Sequence, residues 1–110
     1  MIARGEIYLL HPPPDPTDPK SRRACVVVSR QTLCVSRFPK VVVAAIHSES
    51  DGLSTEVPLD ESDGMKWTCA IKADQLFLIE KARLTGFVAT LKGPKLKQLN
   101  QALAIALDLA

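Results

Sequence analysis

Arg22-Arg23-Ala24-Cys25-Val26-Val27-Val28-Ser29 and Val41-Val42-Val43-Ala44-Ala45-Ile46-His47-Ser48 are two apolar runs with polar chemistry at opposite ends. The first run, Val-rich and without alternation, predicts a strand over 23–29 buried on both faces. The second predicts a strand over 41–47. Consecutive strands are most often antiparallel neighbours. The connection over 30–39 is centred on Val35, so a symmetric register pairs residues whose numbers sum to 70. Arg23 then faces His47, and Arg22 faces Ser48. Directly opposite residues project to the same side with Cβ atoms about 5 Å apart. Two cations, an imidazole and a hydroxyl therefore gather at one end of a sheet.

The rest of the chain builds outward from that hairpin. Glu6 to Leu10 reads as a first strand, stopped by His11 and a Pro-rich loop. Five of the eight prolines lie between Pro12 and Pro19 and cannot donate to a ladder. Ser48 to Ser54 is a polar loop with Asp51-Gly52 as its turn signal. Thr55-Glu56-Val57-Pro58-Leu59 alternates, and Pro58 places it at a sheet edge. Asp60 to Gly64 is a further turn. Trp67–Ile71 and Asp74–Ile79 read as two strands, Lys81–Leu84 as a short helical or turn segment. Gly86–Leu91 reads as a last strand with Phe87, Ala89 and Leu91 on one face. Gly93-Pro94 then opens a helix, with Leu96, Leu99, Leu103, Ala106 and Leu107 at helical spacing. The expected fold is α+β, mostly β, over one domain, 1–110. It is a curled antiparallel sheet forming a small barrel, closed by the C-terminal helix.

Composition narrows the classes. At 110 residues, 46% hydrophobic and 24% charged, the chain suits one modest globular core. A formal net charge of +2 does not mark a nucleic-acid binder by itself. Local clustering is more suggestive: Lys20, Arg22 and Arg23 lie together, and Arg30, Arg37 and Lys40 lie between the two runs. Three cysteines, Cys25, Cys34 and Cys69, lack metal-ligand spacing and read as reduced thiols of a cytosolic protein. The N-terminus lacks the pattern of a signal peptide, and no apolar stretch is long enough to span a membrane.

The cluster at the hairpin end has the parts that cleavage of an RNA phosphodiester requires. A base activates the ribose 2′-hydroxyl, an acid protonates the leaving oxygen, and a cation holds the phosphate charge. Arg23 suits the last role through its planar fork. His47 exchanges protons near neutral pH, and Ser48 donates a hydrogen bond to a phosphate oxygen. The scheme needs no metal, and no carboxylate cluster is evident to hold one. Structural readings stand beside it. An Arg pair at a strand start also forms solvated edges, a strand-end His is also a satisfied structural residue, and Ser48 is also a turn residue. Trp67 reads as core or interface. Asp74-Gln75 reads either as a polar contact to substrate or as a hydrogen-bonded structural pair.

Seven segments in series resemble the MazF/PemK toxin family. Arg4-Gly5-Glu6-Ile7-Tyr8-Leu9 resembles its R-G-[DE]-[IV]-[WY] opening. Ser21 to Ser29 resembles its G-R-R-P-x-[LV]-V-[LIV]-S stretch, and Val42 to Ile46 its following strand. Thr55 to Leu59, Ala73-Asp74-Gln75-Leu76, Lys81-Ala82-Arg83-Leu84 and the helix ending Ala104 to Leu109 continue the match in order. The resemblance implies a small SH3-like barrel, a homodimer and neutralisation by a cognate antitoxin protein. It further implies a cytoplasmic toxin: a sequence-selective, metal-independent endoribonuclease (an mRNA interferase) that cuts single-stranded RNA without a cofactor. By position it makes Arg23 catalytic, with His47 and Ser48 where the family has its catalytic threonine. Gln75, with Asp74, Arg22 and Lys20, falls on the RNA path. The chain departs from the pattern at His47, at Phe77 where an arginine is usual, and in the loop from Pro12 to Lys20, which lacks G-S-E-Q. His47 accordingly either strengthens acid–base chemistry or marks an RNA-binding member that has lost cleavage. A non-enzymatic inhibitor of a DNA topoisomerase on the same fold is the other alternative.

Overall fold

A computed structural model describes residues 1–13, 17 and 23–109. The elements follow in the order β1 (Glu6–Leu10), β2 (Ala24–Val27), α1 (Gln31–Cys34), β3 (Lys40–His47), β4 (Glu56–Leu59), β5 (Cys69–Glu80), β6 (Leu84–Thr90) and α2 (Gly93–Ala106). Single 3-10 turns occupy Glu61–Asp63 and Lys81–Arg83. The strands form a six-stranded antiparallel sheet in the order β4-β5-β3-β2-β1-β6. The mostly-β class with a C-terminal helix is as expected. The sheet does not close into a barrel: β4 and β6 are its two edges. Pro58 is exposed on edge strand β4, where a missing N–H costs no ladder bond.

Both faces of the sheet carry a core. On one face Ile7, Val26, Ala44, Val57, Leu59 and Ile71 join Leu91, Leu99 and Ala102 beneath α2. On the other, Tyr8, Cys25, Val27, Val41, Val43 and Leu84 pack with Cys34 of α1. Successive residues of a strand point to opposite faces, so β2 and β3 must be apolar at nearly every position. That is the physical source of the unbroken valine runs. The four-residue α1, inside the segment read as a plain connection, is held from below. Lys81 Nζ donates to the carbonyls of Leu33, in the last turn, and Ser36, just beyond it, 2.8 Å each.

The N-terminal motif has structural roles. Arg4 Nε donates to the Val28 carbonyl (3.1 Å) and its Nη2 to Asn100 Oδ1 (2.8 Å), joining the end of β2 to α2. Gly5 sits at φ +89°, and a Cβ there would lie 3.3 Å from Leu96. A side chain at that φ is strained, and packing against α2 leaves little room for one. The Glu6 carboxylate accepts from the Tyr8 hydroxyl at 3.0 Å. Burial, with Glu6 adding to it, pushes Tyr8 up to about 12.

Three local readings need correction. The two strands expected over 67–71 and 74–79 are one strand, β5, which starts only at Cys69. Its partners on β3 jump from Leu76 opposite Ala44 to Lys72 opposite Ala45, so residues 73–75 form a bulge. Phe87 and Ala89 do not share a face. Phe87 pairs with Tyr8 and Ala89 with Ile7, and the irregularity between them turns Phe87 to the outer side. There it meets Tyr8 edge to face, with centroids 5.7 Å apart. On α2, Leu99 and Ala102 are buried, whereas Leu107 follows the helix and is exposed.

Candidate active site

The hairpin register is the one read from the symmetry of the connection. Ala24 pairs with Ile46, Cys25 with Ala45, Val26 with Ala44 and Val27 with Val43, each pair summing to 70. Continued by one step, it sets Arg23 beside His47 at the end of the sheet. Arg23 and His47, with Ser48, border one cavity of about 420 Å³, whose walls include Leu9, Ile46, Met65 and Trp67. Arg23 is exposed, and among the described residues no carboxylate forms an ion pair with it. A guanidinium so placed is available to an incoming anion.

His47 and Ser48 also border a second, shallower cavity of about 290 Å³ with Gln75 and Lys72. His47 Nε2 donates to Gln75 Oε1 at 2.8 Å. An amide oxygen only accepts, so this bond holds the proton on Nε2 and leaves the Nδ1 lone pair of the neutral ring unoccupied by that partner. The β5 bulge is what exposes Gln75 for this contact. Asp74, its neighbour, is also exposed but borders neither cavity; it accepts from Thr55 Oγ1 and so ties β5 to the start of β4. Arg22 and Lys20 lie outside the described residues, as does most of the Pro-rich loop.

The loop that follows Ser48 is fixed by a buried ion pair absent from the sequence reading. Glu56 and Lys72 face each other across β4 and β5 with side chains 4% and 7% exposed. Lys72 Nζ donates to Glu56 Oε2 at 2.7 Å and to Asp51 Oδ2 at 3.1 Å. The Glu56 carboxylate also accepts from Ser50 Oγ (2.7 Å) and from the backbone N–H groups of Asp51 and Gly52 (3.1 Å each). Hydrogen bonds from Lys72 and then Ser50 hold Glu56 down at about 2, and the same pairing raises Lys72. Thus the turn Asp51-Gly52 is laced to the sheet directly beyond the candidate catalytic residues.

The three cysteines are free and buried. Burial raises all three thiols, Cys25 to about 11, which removes the thiolate needed for nucleophilic chemistry. Among the described residues no group of three or more His, Cys, Asp or Glu is placed to hold a metal ion. Among them, too, no helix is long and apolar enough to cross a membrane.

The sequence profile of the PemK-like, MazF-like toxins of type II toxin–antitoxin systems matches residues 3–107. The chain belongs to this toxin family. No curated protein sequence matches it significantly. Among solved structures, this MazF-like chain is similar to the Mycobacterium tuberculosis toxin MazF-mt6, with 23% identity, a TM-score of 0.79, and coverage of 96% of this chain and 98% of that one. It is similar to an endoribonuclease in complex with its cognate antitoxin from a mycobacterial species, with 20% identity, a TM-score of 0.84, and coverage of 100% and 98%. It is also similar to the MazE-MazF complex of Deinococcus radiodurans, with 17% identity, a TM-score of 0.75, and coverage of 99% and 98%. At these identities the likeness is one of fold.

Within the MazF-like fold, the sequence reading missed Met65, Lys66 and the exposure of Trp67 at the first cavity. Trp67 stands before β5 rather than in a strand and, 62% exposed, is not core; that exposure is also what an interface residue shows on a single chain. Lys66-Trp67 beside a Gly-containing turn was the available signal, since a cation and an aromatic on a loop can serve recognition.

Proposed function

We propose that this MazF-like toxin, as one domain over 1–110, is a sequence-selective, metal-independent endoribonuclease acting on single-stranded RNA in the cytoplasm. The observation that carries the reading is that Arg23, His47 and Ser48 border one cavity. In the reaction the ribose 2′-oxygen attacks the adjacent phosphorus and the P–O5′ bond breaks, leaving a 2′,3′-cyclic phosphate and a 5′-hydroxyl. The 2′-hydroxyl proton passes to the His47 Nδ1 lone pair, and a proton returns to the departing 5′-oxygen from the imidazolium so formed. Arg23 offsets the charge that grows on the equatorial phosphate oxygens, and Ser48 donates to one of them. Gln75 holds the imidazole in the tautomer this route needs.

The homodimer and the antitoxin partner are part of the same proposal. Phe77, Leu78, Ile105 and Leu107 are about half exposed, and such large apolar side chains suit coverage by protein. Light scattering at micromolar concentration is expected to show a dimer.

The deciding experiment incubates purified protein with long single-stranded RNA in the presence of a chelator. Discrete fragments ending in cyclic phosphate are expected. Binding without cleavage would instead make this chain an RNA-binding member that His47 has rendered inactive.

A further inference from the structure

Trp67 is the single tryptophan of the chain, and it spends its large apolar surface on solvent at the rim of the Arg23–His47 cavity. Its loop is held in place. A 3-10 turn capped by Asp60 leads into Gly64 at φ +90°, where a Cβ would lie 2.8 Å from that of Ala89 on β6. The Met65 N–H then returns to the Asp60 carbonyl at 3.3 Å. So the indole is presented by backbone packed closely on the sheet. The cavity it borders has Met65, Leu9 and Val88 as apolar walls, and among the described residues its charged lining is Arg23 and Lys66, with no carboxylate.

A flat apolar face beside two cations matches a base attached to its phosphate. Aromatic side chains bind unpaired bases by stacking, whereas paired bases hide their faces. Resting on the reading of this site as an RNA-cutting one, we infer that Trp67 is the stacking platform for one unpaired base next to the phosphate held by Arg23. The subsite would make cleavage depend on single-strandedness independently of base-edge contacts.

The test uses single-stranded 2′-O-methyl homopolymers, which cannot be cut because the nucleophilic hydroxyl is blocked. Their binding is followed by fluorescence anisotropy of an end label and by the emission of Trp67. An abasic strand of equal length and charge is the control. The expected result is saturable quenching of Trp67 by the best-bound homopolymer and about tenfold weaker binding of the abasic strand. Trp67→Ala should lose the same factor and Trp67→Phe should keep most of the affinity. Binding with unchanged emission and equal affinity for Trp67→Ala would overturn the inference and leave the RNA reading standing. No binding of any homopolymer would overturn the inference, while cleavage of the long mixed-sequence RNA would leave the RNA reading standing. Emission that responds to protein concentration or to the antitoxin, but not to RNA, would place a protein on Trp67 and also overturn it.

Discussion

His47 Nε2 donates to Gln75 Oε1 at 2.8 Å, although the two residues lie 28 positions apart. The bulge in β5 creates the contact, and the contact selects the imidazole tautomer. Gln75→Ala removes the acceptor that orients the ring and should lower kcat more than it raises KM, with the affinity for an uncleavable 2′-O-methyl strand nearly kept. An unchanged kcat in single-turnover cleavage would show that Gln75 does not position His47.

Arg23 is the cation of the first cavity that the hairpin register places beside His47. Arg23→Ala should reduce RNA cleavage by about 10²-fold or more, the cost of removing a main charge stabiliser. Arg23→Lys should recover only part of it, since an ammonium cannot grip two phosphate oxygens as a planar fork does. Because Arg23 is exposed, both variants should melt close to the parent, and single-turnover cleavage then isolates the chemistry.

Leu99 is fully buried at the centre of α2, against the face shared by Val57, Leu59 and Ile71. Leu99→Ala should cost about 2–5 kcal/mol in a denaturant titration. Leu107→Ala, at an exposed position immediately after the helix, should change stability little. Equal losses for the two would contradict the observed docking of α2.

The hairpin register was legible because two-sided burial and a symmetric connection leave it few alternatives. The roles inside the Arg4-Gly5-Glu6 motif were not, because they are distant: Arg4 reaches Val28 and Asn100, and Gly5 makes way for Leu96. Residues 72–73 read as a gap between two strands because the bulge over 73–75 breaks the alternation that marks a strand. Lys72 sits between Ile71 and Ala73 with no acidic neighbour in sequence before Asp74. Its partner Glu56 lies on a neighbouring strand, and nothing local in either segment announces the pair. Of the two readings of Trp67, core or interface, core fails because β5 starts only at Cys69 and leaves the indole on the preceding loop.

The Glu56–Lys72 pair makes a pH-dependent prediction whose sign is fixed by the directions of the two shifts. Glu56 is held at about 2 in the folded protein against an ordinary 4.5. The unfolded chain therefore takes up a proton first as pH falls, and the stability from Glu56 is present above about 4.5 and lost on the way down to about 2. Lys72 is raised, so its contribution holds below its ordinary 10.5 and fades as pH climbs past that into its folded-state titration. Glu56→Gln removes the acidic partner while keeping the shape. At neutral pH the variant should melt several degrees below the parent, since Lys72 stays buried with only the exposed Asp51 beside it. As pH is lowered from about 4.5 to about 2, the parent's midpoint should fall towards that of the variant, because protonation removes from the parent the same charge. Thermal melts followed by circular dichroism across that range test it directly. A gap that stays constant with pH would mean that the charge of Glu56 contributes nothing to it. Loosening of residues 50–52 in the same variant should also slow RNA cleavage, since these residues anchor the loop that begins at Ser48.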